Sequence, residues 1–174
     1  MEVRPVSPSH IVTASPAPSS HHDGSLETLR KICCRFHLVV RQLRLRRDDR
    51  PTLEVEDEYD VQDLLHALLR LEFEDIATED WCPRYAADAG RTDYLLQSGS
   101  TVIIAKKTRT GLTVRDLTDQ IKIDFAHYSG HADCRTVLCF VYDPEGRIGN
   151  PRRLESDLAV ASDTHMLEVV IAPK

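Results

Sequence analysis

Two apolar runs, residues 91–96 and 101–106, are separated only by Gln97, Ser98, Gly99 and Ser100, so the chain must fold back on itself between them. Gly and Ser suit a tight hairpin turn. Successive side chains of a strand point to opposite faces, and a slip of one residue moves all of them to the other side. Loop length therefore fixes which residues meet. With Leu96 opposite Thr101, Leu95 faces Val102 and Asp93 faces Ile104. Asp93, Ile104 and Lys106 then share one face of the sheet, with Lys106 diagonal to Asp93 at roughly 7–8 Å between backbones. An acid and a lysine on the same side of an apolar strand pair need an explanation.

The flanking segments supply layers for such a sheet. Leu26, Leu29, Cys33, Phe36, Val40 and Leu43 recur at alternating spacings of three and four, which predicts a helix over 25–47 with one buried stripe. The spacing also suits a coiled-coil seam with another chain, though it spans fewer heptads than such a seam usually shows; packing on its own domain is expected ahead of that pairing. Val61, Leu64, Leu65, Leu68 and Leu69 predict a second helix over 58–71, with Asp57 as N-cap and Glu58 and Asp60 at the positive end of its dipole. A third helix is expected over 113–128 from Val114, Leu117, Ile121, Phe125 and Tyr128. The runs "CRTVLCFVYD" and "MLEVVIAP" read as strands, "EDIATEDWCPRYAADAGR" and "PEGRIGNPRR" as loops, and "LESDLA" as at most a short helix. The expectation is an α/β domain over 25–174 with helices packed on a mixed sheet.

Composition narrows the class. No apolar run approaches the roughly 20 residues needed to cross a bilayer, and the start of the chain lacks the basic and apolar regions of a secretory signal. A flexible tail over residues 1–24 and a cytoplasmic location are expected. Cys33, Cys34, Cys82, Cys134 and Cys139 form no CxxC pair, and no fourth ligand at zinc-like spacing joins His127, His131 and Cys134, so reduced, mostly buried thiols are expected. The net charge of −6 excludes a generally basic coat, yet the charges segregate. Basic residues dominate 30–50, acids dominate 54–80, and no acid interrupts residues 101–115, where Lys107, Arg109 and Arg115 stand. With Arg91 on the facing run, these are candidate contacts to nucleic-acid phosphates; Arg91 or Lys106 is also a candidate structural ion-pair partner of Asp93.

An acid on one strand beside an acid-x-lysine on the next is an arrangement suited to phosphodiester hydrolysis. Residues two apart share a face, carboxylates can hold a divalent cation, and the lysine can orient water or stabilise developing charge. The segments "EYDVQDLLHALLRLEFEDI", "PRYAADAGRTDYLL", "VIIAKKTR", "DQIKIDFAHYSGHADC" and "CFVYDPEGRIGNP" resemble the nuclease domain of the PD-(D/E)xK superfamily related to the Dpn/Mbo group of restriction endonucleases. The resemblance runs over residues 26–171 and implies a restriction-endonuclease-like core, a mixed β-sheet flanked by α-helices, here with an extra N-terminal helix over 25–47.

By that resemblance Asp93 matches the metal-binding aspartate and Lys106 the catalytic lysine, with the Ala105 carbonyl as a further metal ligand. The cofactor implied is Mg²⁺ or Mn²⁺, and the partner is DNA. The motif glutamate would stand at 104, where this chain has Ile104. Isoleucine offers a metal no lone pair, so impaired hydrolysis is expected unless Glu58 or Asp60, at the head of the second helix, takes its place. Gln120 and Tyr128 resemble auxiliary substrate-side positions. The role implied is a DNA endonuclease domain of a bacterial antiphage defence or restriction system, working as a homodimer or with a partner subunit. The alternative is a catalytically degenerate pseudo-enzyme that binds nucleic acid or assembles a defence complex.

Overall fold

The computed structural model describes residues 20–47, 50, 53–78, 93–96 and 100–174. The expected tail through residue 19, most of the loop before the hairpin, the turn residues 97–99 and Arg91 lie outside the described residues. Among the described residues four helices, α1 (Ser20–Arg44), α2 (Glu58–Leu69), α3 (Val114–Ser129) and α4 (Pro151–Leu158), accompany six strands. The strands are β1 (Ile76–Thr78), β2 (Tyr94–Leu96), β3 (Thr101–Lys107), β4 (Thr136–Tyr142), β5 (Val160–Ala161) and β6 (Met166–Ala172). They form one sheet in the order β1-β2-β3-β4-β6-β5.

The sheet is mixed for a reason visible in the connections. β2 and β3, joined by a short loop, are antiparallel, whereas β3, β4 and β6 are parallel and are linked through α3 and α4. β3 and β4 are buried on both faces and read as nearly continuous apolar runs, as expected for parallel strands covered on both sides. The hairpin register is the expected one: Leu96 pairs with Thr101, Leu95 with Val102 and Tyr94 with Ile103.

Alternation along the strands divides the core in two. Tyr94, Leu96, Ile103, Ala105, Phe140 and Tyr142 pack under α1 and α2, while Leu95, Val102, Ile104, Cys139, Val141 and Ile171 pack under α3. The α1 stripe is buried within its own domain: Phe36 is fully enclosed and meets Phe140 and Tyr142 edge-on, with centroids 5.1 Å and 5.0 Å away. Arg30 forks onto Glu168 of β6, with Nη2 2.9 Å from Oε2. The Tyr94 hydroxyl donates to the Gln62 carbonyl of α2 at 2.7 Å and ties the hairpin to that helix.

Several elements depart from the sequence expectations, among them the unexpected short strand β5. α1 starts before residue 25 and ends at Arg44 rather than 47. β1 lies in the segment read as loop; its three residues pair with β2 and are too few to show a period. α4 begins inside "PEGRIGNPRR", because the Asn150 side chain accepts from the Arg153 N–H at 3.1 Å and Pro151 occupies a first-turn position that needs no N–H partner. There, Asn-Pro starts a helix instead of prolonging a loop.

Candidate active site

The site is built where β2 stops and β3 continues. Among the described residues, the β2 side of β3 has no strand partner beyond the Tyr94–Ile103 pair. The Thr108 N–H donates to the Tyr142 carbonyl of β4 at 3.0 Å, so by strand alternation Ala105 and Lys107 direct their peptide groups the other way. The Lys107 N–H is taken by Oε2 of Glu58, from the first turn of α2, at 3.3 Å. The Ala105 carbonyl lies along the same edge.

Asp93 and Lys106 are both directed toward α3. The Tyr128 hydroxyl donates to Oδ2 of Asp93, and Lys106 Nζ lies 2.9 Å from Oδ2 of Asp124. Asp93, Lys106 and Asp124 are buried, at 4%, 3% and 2% exposure. Gln120, Asp124 and Tyr128 follow one another at four-residue intervals, so α3 lays a polar stripe along the hairpin. Between the two charged residues Ile104 is 2% exposed and packs with Leu117 and Ile121. Its neighbour in β4, Cys139, registers the charge around it. Burial raises that thiol to about 12, Lys106 opposes the shift, and Asp124, Asp93 and Glu58 add to it.

A cleft of about 560 Å³ opens beside these groups, lined by Glu58, Lys106, Lys107, Arg109, Gln120 and Asp124 among others. Its walls differ in charge: the head of α2 is acidic, and the end of β3 is basic. Tyr59 of α2 and Ile123 of α3 stand exposed in its lining.

The structure therefore brings Glu58, Lys106, Lys107, Arg109 and Gln120 to one cleft, while Asp93, buried against Tyr128, and Ala105, buried in β3, are not among its lining residues. It does not bring Arg115, which lies on the solvent side of α3, 4.0 Å from Asp119. Asp60 is engaged elsewhere, accepting from the Glu56 and Asp57 N–H groups at 2.8 and 3.2 Å in the α2 capping box. Asp124 is the residue that the sequence reading missed. Its signal was an acid three residues after Ile121, on the apolar stripe, where the reading had placed Phe125; Asp124 is buried and Phe125 only half-buried.

As arranged, the donors do not fit a resident divalent cation. Asp93 is engaged by Tyr128 and Asp124 by Lys106, and no group of three His, Cys, Asp or Glu side chains among the described residues converges closely enough to hold a metal ion. Magnesium needs near-octahedral oxygen ligation, and the strand position between Asp93 and Lys106 is filled by the hydrocarbon of Ile104.

A family model described as that of the DpnII-MboI restriction endonucleases matches residues 27–174. Comparison with curated proteins and with solved structures returned no match.

Proposed function

This chain belongs to the DpnII-MboI restriction endonuclease family, and from that membership we propose that it is a DNA-binding nuclease domain of a bacterial defence or restriction system in which phosphodiester hydrolysis is impaired. Ile104 carries the reading. By the resemblance it stands in the seat of the motif glutamate, next to Asp93 and Lys106; of the α2 acids, Asp60 caps its own helix and Glu58, which lines the cleft, receives a backbone N–H of β3. The family generally uses Mg²⁺, and here the acid that would complete a metal shell is missing.

The remaining residues have definable work. Lys107 and Arg109 supply charge for a DNA backbone at the basic wall of the cleft. Lys106 sits at the cleft floor as a cation held in place by Asp124. Backbone contacts of this kind carry no sequence information, so binding governed by shape is expected. Among the described residues no helix is long and apolar enough to cross a membrane.

The test is cleavage of a DNA duplex by the natural chain and by Ile104→Glu in the presence of Mg²⁺ or Mn²⁺. Single electrostatic groups in active sites contribute roughly 10²–10³ in rate, so the substituted protein should cleave at least about tenfold faster. Equal metal-dependent cleavage by both would defeat the reading. A second reading, a domain that binds DNA without cutting it, is favoured by the mutual engagement of Lys106 and Asp124; it predicts no cleavage by either protein and the same affinity in chelator.

A further inference from the structure

α1 carries a basic end that the cleft does not use. Arg30 of this helix pairs with Glu168 within β6, Phe36 packs on Phe140 and Tyr142, and His37 Nδ1 is 3.0 Å from the hydroxyl of Tyr142, the last residue of β4. The helix thus runs toward the carboxyl ends of the parallel strands. Seven further residues at 1.5 Å each carry it about 10 Å beyond Tyr142 before it ends at Arg44. The cleft opens at the same edge of the sheet, because Tyr142 is the register partner of Lys107. Arg41 and Arg44 both act electrostatically on His37, and Arg44 acts on Tyr142.

The helix dipole accounts for basic residues in the last turn, Arg41 and Arg44. It gives no reason for Arg47 or Arg50, which lie past the helix end. Among the described residues no carboxylate lies within ion-pairing reach of Arg41, Arg44 or Arg47, and all three are exposed. A duplex strand carries one phosphate about every 3.4 Å along its axis, so roughly 10 Å of helix spans about three phosphates.

We infer that Arg41, Arg44 and Arg47, at the end of α1, form a second DNA-backbone surface continuous with the Lys107–Arg109 wall of the cleft. The inference rests on the DNA-binding reading above and extends it to a helix outside the cleft. Duplex leaving the cleft crosses the carboxyl edge of the sheet and lies against α1.

The experiment measures binding of the full chain to a fluorescein-labelled duplex by anisotropy, in EDTA, across a salt series. Each phosphate neutralised contributes about 0.9 to the slope of log affinity against log salt. Arg41→Ala/Arg44→Ala should therefore lower the slope by about two and weaken binding, whereas Arg41→Lys/Arg44→Lys should keep the slope. Arg153→Ala, which removes an exposed cation paired with Asp157 on α4, should leave it unchanged. An unaltered slope in the double alanine variant, together with weakened binding by Lys107→Ala/Arg109→Ala, overturns the α1 surface and leaves the cleft reading intact. An equal change in Arg153→Ala also overturns it, since any surface cation would then serve. Failure of the natural chain to bind DNA at low salt overturns both readings.

Discussion

Lys106 and Asp124 form a buried ion pair, Nζ to Oδ2 2.9 Å, with side chains 4% and 2% exposed. It joins the centre of the sheet to α3 next to the hydrocarbon of Ile104. A lysine that the sequence presents as a reactive group is thus also a structural one.

Removing one member of such a pair leaves a buried charge without compensation. Asp124→Ala should destabilise the domain by about 3–5 kcal/mol, whereas Lys106→Met/Asp124→Leu should cost far less, because the desolvation of both ions disappears together. Urea denaturation of the two proteins decides this. Equal losses would mean that the pair contributes only as packing.

Ile104→Glu should lower stability in chelator, since it places a carboxylate at a position only 2% exposed, beside Asp93. The added acid should at the same time create a site for Mg²⁺. A ligand present at 100 times its dissociation constant stabilises by about 2.7 kcal/mol, so Mg²⁺ should raise the melting temperature of the variant and leave that of the natural chain unmoved. A common response of both proteins would show that Ile104 does not govern metal binding.

Phe36→Ala should cost about 3–5 kcal/mol, because the ring is fully buried and contacts both Phe140 and Tyr142. A loss under about 1 kcal/mol in urea unfolding would show that α1 is an appendage and not a layer of the core.

Acid should weaken the fold through His37. Burial, then Arg41 and Arg44, hold its pKa below the usual 6.5. Between 6.5 and that lower folded value the unfolded chain binds the extra proton, so stability falls as pH drops through this window and is complete above it. His66 acts in the same direction through burial and Arg70, with Asp63 opposing. His37→Asn should flatten the decline in urea midpoint between pH 7.5 and pH 5; an unchanged decline would place its origin elsewhere.

Thiol chemistry checks the layering. Of the described cysteines Cys34 is exposed, while Cys33, Cys134 and Cys139 are buried. Brief alkylation of the native protein followed by mass spectrometry should modify Cys34 ahead of these three, and early labelling of Cys139, whose thiol burial raises to about 12, would contradict the packing of β4.

Local pattern was enough for much of the fold. The four-residue turn and alternating side chains set the hairpin register, the spacing from Leu26 to Val40 marked the buried face of α1, and Asp57 announced the start of α2. The same reasoning placed Asp93, Ile104 and Lys106 on one face, because a strand period of two follows from covalent geometry alone. Where a segment's state depended on distant partners, the pattern failed: Ile76–Thr78 becomes a strand by pairing with β2, and Asn150-Pro151 starts a helix that packs on β6.

The sequence by itself determined that one acid and one lysine share a face of the hairpin with an isoleucine between them, since neighbouring residues and a fixed alternation suffice for that. Only the tertiary structure decided what engages those charges. Asp124 and Tyr128 reach Lys106 and Asp93 from a helix that a sheet crossover returns over the hairpin, and Glu58 arrives from the opposite layer. Contacts across layers depend on how elements dock, which residue spacing within a single element does not encode.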